Sequence, residues 1–289
     1  RLSHGMSYKN AMAGIPLGGG KAVIWGNAKT DKSQDLFRAF GRAVESLQGK
    51  YITAEDVGID VADMQIVREE TAHVAGLDQG IAASGDPSPI TAMGIYLGIR
   101  ETAKRAFGTD DLNGRTIAVQ GVGSVGGHVC EHLAKAGANL IITDIDQVAL
   151  ADVSSRTGAR IVTPDEIYDA EADIFSPNAL GAIVNEQTLE RFRVKAIAGG
   201  ANNQLIVPEM GELLRRRGIL YAPDYVINGG GIINVCAEIS GTYSREWVDA
   251  KVHTLMETLG EVLDSALETN EPTNHVADRI ARQRIGRTD

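Results

Sequence analysis

At 289 residues, 43% apolar and 23% charged, the chain has an ordinary globular composition, sized for one large domain or two modest ones, which excludes disordered and collagen-like classes. No run approaches the roughly 18–20 uninterrupted apolar residues of a spanning helix, so no bilayer crossing is expected. With 38 Asp+Glu against 28 Lys+Arg the net charge is −10, which repels nucleic-acid backbones and anionic lipid surfaces at long range, so neither is expected as a partner.

The chain opens on Arg1, with neither the basic start nor the apolar core of a secretion signal, and its natural start is expected to be missing. Cys130 and Cys236 fall in helical apolar patterns that suit reduced core residues in the cytoplasm, and neither suggests a metal site. Glycine is in excess, 33 residues, which points to places where backbone turns tightly or approaches a ligand. In chain order, Leu17-Gly18-Gly19-Gly20-Lys21 precedes an apolar run, Ala22-Val23-Ile24, expected as a strand. Leu36, Phe40, Ala43, Val44 and Leu47 repeat at helical spacing and predict a helix over 32–49, followed by a strand at Tyr51-Ile52-Thr53. Gly, Ser and Pro cluster over 83–89 ahead of an expected linking helix over 90–107 that Gly108 stops.

Beyond Arg115 the pattern changes. Thr116-Ile117-Ala118-Val119, Leu140-Ile141-Ile142-Thr143, Asp173-Ile174-Phe175 and Lys195-Ala196-Ile197-Ala198 read as buried strands alternating with helices. The expected class is α/β: a doubly wound, Rossmann-type parallel sheet over 89–272, with a ligand crevice at the carboxyl ends of its strands. Residues 1–88 read as a mixed α/β substrate domain whose N-terminal part is expected to be incomplete. Trp247, Val252, Leu255, Met256, Leu259 and Val262 predict a long C-terminal helix, after which 273–289 is expected to return to the first domain.

Gly121-Val122-Gly123-Ser124-Val125-Gly126 follows the first of these strands directly and opens a helix. The first glycine permits the turn, the second lets backbone reach a pyrophosphate, and the third lets helix and strand pack closely, while the helix N-terminus supplies amide donors. Asp144 ends the next strand, where a carboxylate can accept from a ribose and would repel a 2′-phosphate. Strand, helix and spaced acid together point to NAD in preference to NADP; the bland alternative is a tight turn and a solvated strand end. Lys21, directly after three glycines, is either a lysine with limited water, able to lose its proton readily, or a surface lysine in a glycine loop.

Seven ordered motifs add to this. They are Gly5-Met6-Ser7-Tyr8-Lys9-Asn10-Ala11, Leu17-Gly18-Gly19-Gly20-Lys21, Ala54-Glu55-Asp56-Val57-Gly58, Gly85-Asp86-Pro87-Ser88-Pro89, Val119-Gln120-Gly121-Val122-Gly123, Ala201-Asn202-Asn203-Gln204-Leu205, and the run Tyr221-Ala222-Pro223-Asp224-Tyr225-Val226-Ile227-Asn228. Together they resemble the amino-acid dehydrogenases of the leucine, valine, phenylalanine and glutamate type, leucine dehydrogenases most of all, over nearly the whole chain. The resemblance implies reversible oxidative deamination of an L-amino acid by NAD, giving a 2-oxo acid and ammonium, in a cytoplasmic homo-oligomer. By similarity Lys9 binds the substrate carboxylate, Lys21 is the base on water, Asp56 relays protons, Asn202 meets both nicotinamide and substrate, and Thr91 faces the cofactor. Each has a plainer alternative: Asp56 as a cap or a partner of Lys21, Asn202-Asn203 as a turn, Thr91 bonding its own backbone. Two ammonium groups in one cleft repel, so Lys9 is expected to stay charged while Lys21 is driven toward the neutral amine.

The residues similar to the family's side-chain pocket, Met6, Ala54, Ala75, Ile232 and Val235, are all apolar. A buried substrate γ-carboxylate would lack a partner, so leucine, valine and isoleucine are the expected substrates and glutamate is disfavoured. Ala75 stands where leucine dehydrogenases resemble one another in having threonine, which leaves phenylalanine or tryptophan open, and a phenylalanine, tryptophan or glutamate dehydrogenase of the same family is the nearest alternative; Asn178 stands where many relatives carry cysteine. The alternative from another class is a non-catalytic NAD-binding relative; retention of Lys9, Lys21, Asp56 and Asn202 together argues against it.

Overall fold

The computed structural model describes residues 2–77, 86–241 and 243–286; Ala83, Ser84 and Gly85 of the Gly/Ser/Pro cluster, and 287–289 of the C-terminal return, lie outside them. The N-terminal part comprises α1 (Leu2–Met12), α2 (Gln34–Glu45), β1 (Thr53–Ala54), α3 (Val61–Arg68) and β2 (Val74–Ala75). The α2 helix starts where the Ser33 hydroxyl accepts from the Leu36 amide, two residues later than the apolar spacing implies, and it ends earlier. The α3 helix is closed by a reciprocal cap between Asp60 and Asp63, a strong helix-start signal. β1 and β2 form a two-stranded parallel pair with Ala54 opposite Ala75.

Two expectations for this part need correction. The strand expected at Tyr51-Ile52-Thr53 lies two residues later, at β1. Ala22-Val23-Ile24 forms no strand and is exposed, and the next residue, Trp25, is 100% exposed. A β-branched run becomes a strand only when another backbone takes up its amides and carbonyls, and no ladder forms here among the described residues.

The linking helix α4 (Ser88–Phe107) starts two residues before its expected position and ends at Gly108 as expected. It is followed by β3 (Thr116–Gln120), α5 (Ser124–Lys135), β4 (Asn139–Thr143), α6 (Gln147–Thr157), β5 (Arg160–Ile161), β6 (Ile174–Pro177), α7 (Glu186–Arg191), β7 (Ala196–Ile197), α8 (Met210–Arg216) and β8 (Leu220–Tyr221). The six strands form one parallel sheet in the order β5-β4-β3-β6-β7-β8. That is the Rossmann order, reversing direction between β3 and β6, where such sheets open a ligand crevice. Side chains alternate between two cores: Ile117, Val119, Ile142, Ile174 and Ala196 face one, and Ala118, Ile141, Phe175 and Ile197 the other. Both faces are covered, so the strands read as continuous apolar runs.

The chain closes with α9 (Asp224–Ile227), α10 (Gly230–Ile239), α11 (Arg245–Thr269) and α12 (Thr273–Arg284). α12 comes back to α1: the Arg282 guanidinium donates to the Tyr8 hydroxyl at 2.8 Å, and Arg284 donates to the Met12 carbonyl at 2.8 Å. It also packs on α11, α8 and β8, so the returning helix belongs to both halves. No helix among the described residues is long and apolar enough to cross a membrane.

Candidate active site

The glycine turn sits at the sheet's switch point. Gly121 has φ +91°, and a Cβ there would come within 2.8 Å of Asn178 and Ala179, so the turn needs glycine both for its conformation and for its approach to the end of β6. A Cβ on Gly126 would come within 2.0 Å of the Gly121 carbonyl, whereas the missing side chain of Gly123 faces open space. Gly123 and Ser124 are exposed, Val125 is half-buried, and the α5 N-terminus has no side-chain cap. Its first amides are therefore available to an anion, the donor set that a dinucleotide pyrophosphate requires. Asp144 accepts from the Val122 amide at 2.7 Å and from the Asp146 amide at 2.9 Å, which holds its carboxylate against the turn.

The crevice continues through a chain of hydrogen bonds. Asn178 donates to the Ser176 carbonyl and hydroxyl, at 3.0 and 3.1 Å, and accepts from the Gly200 amide at 2.8 Å. The Asn228 amide nitrogen donates to the Gly200 carbonyl at 3.0 Å and to Asn202 Oδ1 at 2.8 Å. Lys9 Nζ donates to the same Asn202 oxygen at 3.2 Å. With both donors on its oxygen, Asn202 turns its NH2 group the other way. Thr91, at the start of α4, donates to the Pro87 carbonyl at 3.0 Å and lies against Gly231, so its hydroxyl bonds its own helix in this state.

α1 places both lysines. Lys9 lies one turn beyond Met6 on α1 itself, while Ser3 Oγ and Asn10 Nδ2 hold the carbonyls of Gly19 and Gly18, at 2.6 and 2.5 Å. A Cβ on Gly19 would come within 1.9 Å of the Ser3 carbonyl, and one on Gly20 within 2.6 Å of the Tyr51 ring. The glycines thus let the loop thread between α1 and Tyr51, delivering Lys21 onto Asp56, with which it forms a direct ion pair. The side chains of Lys21 and Asp56 are 25% and 46% exposed, so the pair stands at the cleft surface.

Desolvation, reinforced by the charge of Lys21 and opposed by Asp224 and Asp56, pushes the Lys9 ammonium down to about 8. Lys21 has the Asp56 carboxylate as its partner. Desolvation pushes Asp56 up, but the hydrogen bond and charge of Lys21, the Val57 amide and the charge of Lys9 outweigh it, and Asp56 lies below the ordinary carboxylate value. Lys9 therefore keeps its proton at neutral pH, with a smaller margin than an ordinary lysine.

Ala54 and Ala75 lie side by side at the ends of β1 and β2, while Ile232 and Val235 share one stripe of α10. Two residues whose role no local sequence pattern shows, Asp224 and Asn228, also belong to the site. Asp224 caps the Tyr225 and Gln204 amides at 2.9 and 3.3 Å, and burial raises its carboxyl while the Lys9 charge lowers it. Asn228, 5% exposed, orients Asn202. A polar residue in an otherwise apolar helical run was the available signal for both.

A family model described as Glu/Leu/Phe/Val dehydrogenase, dimerisation domain, matches residues 1–73, and the Glutamate/Leucine/Phenylalanine/Valine dehydrogenase model matches residues 141–287. Leucine dehydrogenase from Geobacillus stearothermophilus is 50% identical over 285 residues, 99% of this chain and 77% of that protein. L-tryptophan dehydrogenase from Nostoc punctiforme is 44% identical, covering 99% of this chain and 80% of the relative. A crystal structure of the Nostoc punctiforme tryptophan enzyme superposes with a TM-score of 0.83 at 42% identity, covering 100% of this chain and 82% of the other. Matched at both ends and half identical to a leucine dehydrogenase along almost its whole length, this chain is an amino-acid dehydrogenase and belongs to the glutamate/leucine/phenylalanine/valine dehydrogenase family.

Proposed function

We propose that the protein catalyses the reversible oxidative deamination of leucine, valine and isoleucine with NAD, giving the 2-oxo acid and ammonium. The observation that carries this reading is the gathering of Lys21 and Asp56 near Lys9, which bonds Asn202, the residue that hydrogen bonds through Asn228 and Gly200 link to Asn178, packed against the glycine turn. In it, residues 1–88 with the returning 273–289 bind substrate and 89–272 bind the dinucleotide, the backbone of Gly121 to Gly126 taking the pyrophosphate and Asp144 the ribose. The coarser point, a nicotinamide cofactor, goes with the family; the choice of NAD rests on Asp144, whose charge opposes a 2′-phosphate. When bound, NAD supplies the acceptor for the α-hydride.

The residues divide the rest of the chemistry. Lys9 holds the substrate carboxylate, aided by the NH2 group of Asn202, which also meets the nicotinamide. Lys21 and Asp56, in direct contact, can exchange a proton, so Lys21 can become the neutral amine that takes a proton from water as its oxygen bonds to the imine carbon. Asp56 then hands a proton to the nitrogen, the carbon–nitrogen bond breaks as the new hydroxyl gives up its proton to become the carbonyl, and that proton leaves with the departing ammonia as ammonium. Thr91 is assigned to the cofactor side once its bond to Pro87 is exchanged. Closure of the cleft excludes water while hydride moves.

Met6, Ala54, Ala75, Ile232 and Val235 form the proposed side-chain pocket. A glutamate γ-carboxylate there would cost several kcal/mol without a partner, whereas one methylene separates aliphatic substrates by only ~1–3 kcal/mol. The two small alanines side by side favour, as a second reading, an aromatic side chain. A homo-oligomer is proposed as well, in keeping with the dimerisation-domain description of the model that matches 1–73. The test is NADH production from leucine, valine, isoleucine, phenylalanine, tryptophan and glutamate, with NADP as control. Leucine, valine and isoleucine should lead; equal kcat/KM for glutamate and leucine would remove the pocket assignment.

A further inference from the structure

The helix that carries Ile232 and Val235 carries a third inward contact one turn later. The Glu238 carboxylate accepts the Gly76 amide with both oxygens, at 3.0 and 2.9 Å, and the Leu77 amide at 3.2 Å. Gly76 and Leu77 are buried and directly follow Ala75. Their amides have left the β1–β2 ladder, which ends at the Ala54–Ala75 pair, so a buried donor there needs an acceptor from elsewhere. Gly76 in turn lies against Glu55, where a Cβ would come within 3.3 Å of the Glu55 nitrogen. The contacts thus run from α10 through Glu238 to the end of β2, and on to the segment holding Ala54 and Asp56.

We propose that Glu238 is a positioning residue that sets the width of the side-chain pocket, tying the wall made by Ile232 and Val235 to the wall made by Ala54 and Ala75. The proposal rests on the pocket reading above and adds a specificity-determining residue that does not itself touch the substrate. Residues three apart on a helix share a face, so the position of Val235 is coupled to where the carboxylate one turn on is anchored. The length of the glutamate side chain then fixes the gap. Glu238→Asp keeps the charge and draws the walls together by one methylene, whereas Glu238→Gln keeps the length but turns an NH2 group against two N–H donors, and Glu238→Ala removes the tie.

The experiment measures kcat and KM for valine, leucine and phenylalanine in the full chain and these three variants, with amide hydrogen exchange at Gly76 and Leu77. In Glu238→Asp the valine-to-leucine ratio of kcat/KM should rise about fivefold, and in Glu238→Gln and Glu238→Ala the phenylalanine-to-leucine ratio should rise about as much, the scale on which pockets read single methylenes. The change should lie in KM, with kcat within about threefold, because the reacting groups are untouched. Exchange at Gly76 and Leu77 should quicken about tenfold or more in Glu238→Ala, as these amides lose their acceptor. Substrate ratios that stay constant in all three variants while thermal stability drops would reduce Glu238 to a structural tie and overturn the proposal. Unchanged exchange at Gly76 and Leu77 would overturn it at the level of the hydrogen bonds, independently of turnover. Wild-type protein that turns over none of the three substrates would instead overturn the functional reading, and the specificity role with it.

Discussion

The two halves of the molecule are stabilised differently. In the six-stranded sheet each strand finds its neighbours in the same domain, and Ile117, Val119, Ile142 and Ile174 are fully buried. In the N-terminal part the sheet among the described residues is one pair of two-residue strands, and the glycine loop that delivers Lys21 is fixed by side chains of α1 and by the Tyr51 ring. In the proposed reading the sheet half is the frame for a cofactor, while Lys21 and Asp56 stand on loops positioned by contacts distant in sequence. In that reading the frame and the reacting groups lie in different halves, which touch at the Lys9–Asn202 contact.

The strongest break of that division is Lys21→Ala. Loss of the proposed base should lower kcat by about 10³-fold, within the range that general acid–base groups contribute, while NAD affinity, assigned above to the sheet half, should stay within about twofold. Steady-state kinetics with a fluorescence titration of NAD checks both. A rate within a few fold of wild type would move the base to another residue, and a parallel loss of NAD binding would show the halves to be one unit.

How much of this was legible from residues follows the same line. The strands of the sheet and the glycine turn could be read because their signals are local: β-branched runs buried on both faces, then a turn whose first glycine has a positive φ. Ala22-Val23-Ile24 misled because the same local signal was present without a pairing strand. α1 carries only a weak local signal for a helix, since its apolar residues are few and scattered. Glu238 was out of reach for another reason: it bonds Gly76, 162 positions away, and no local pattern links them. Asp224 and Asn228 were in view but had no role until the fold put them beside Lys9 and Asn202.

A second, smaller effect sharpens the meeting point of the halves. Lys9 is pushed from the ordinary lysine value of 10.5 down to about 8, chiefly by desolvation in the cleft. The sign follows: a lowered value means that the neutral, nucleophilic amine accumulates as pH rises through about 8, where ordinary lysines are still charged. Competitive acetylation of the free protein, read peptide by peptide, should place the Lys9 midpoint near 8. A saturating 2-oxo acid, whose carboxylate favours the ammonium, should move that midpoint upward and slow the labelling. A midpoint at 10.5 with and without ligand would mean that the cleft stands open to water in solution and that the two halves do not share Lys9 as described.

The finest test compares one helix start from each half. In α2 the Ser33 hydroxyl accepts the Leu36 amide at 3.2 Å, and in α6 the Asp146 carboxylate accepts the Val148 and Ala149 amides at 2.9 and 3.2 Å. Removing either cap costs about 1 kcal/mol by chemistry alone, so Ser33→Ala and Asp146→Ala begin as near equals. Their readouts should separate. α6 packs on α5 and on β4 of the six-stranded sheet, so its loss should be shared by the whole domain and appear as a fall in the main melting transition. α2 packs chiefly on α3, so Ser33→Ala should appear as faster amide exchange over 34–45 with the main transition nearly unmoved. Equal shifts of the main transition would show that the N-terminal part unfolds with the sheet, and the contrast between frame and loops would then be one of geometry alone.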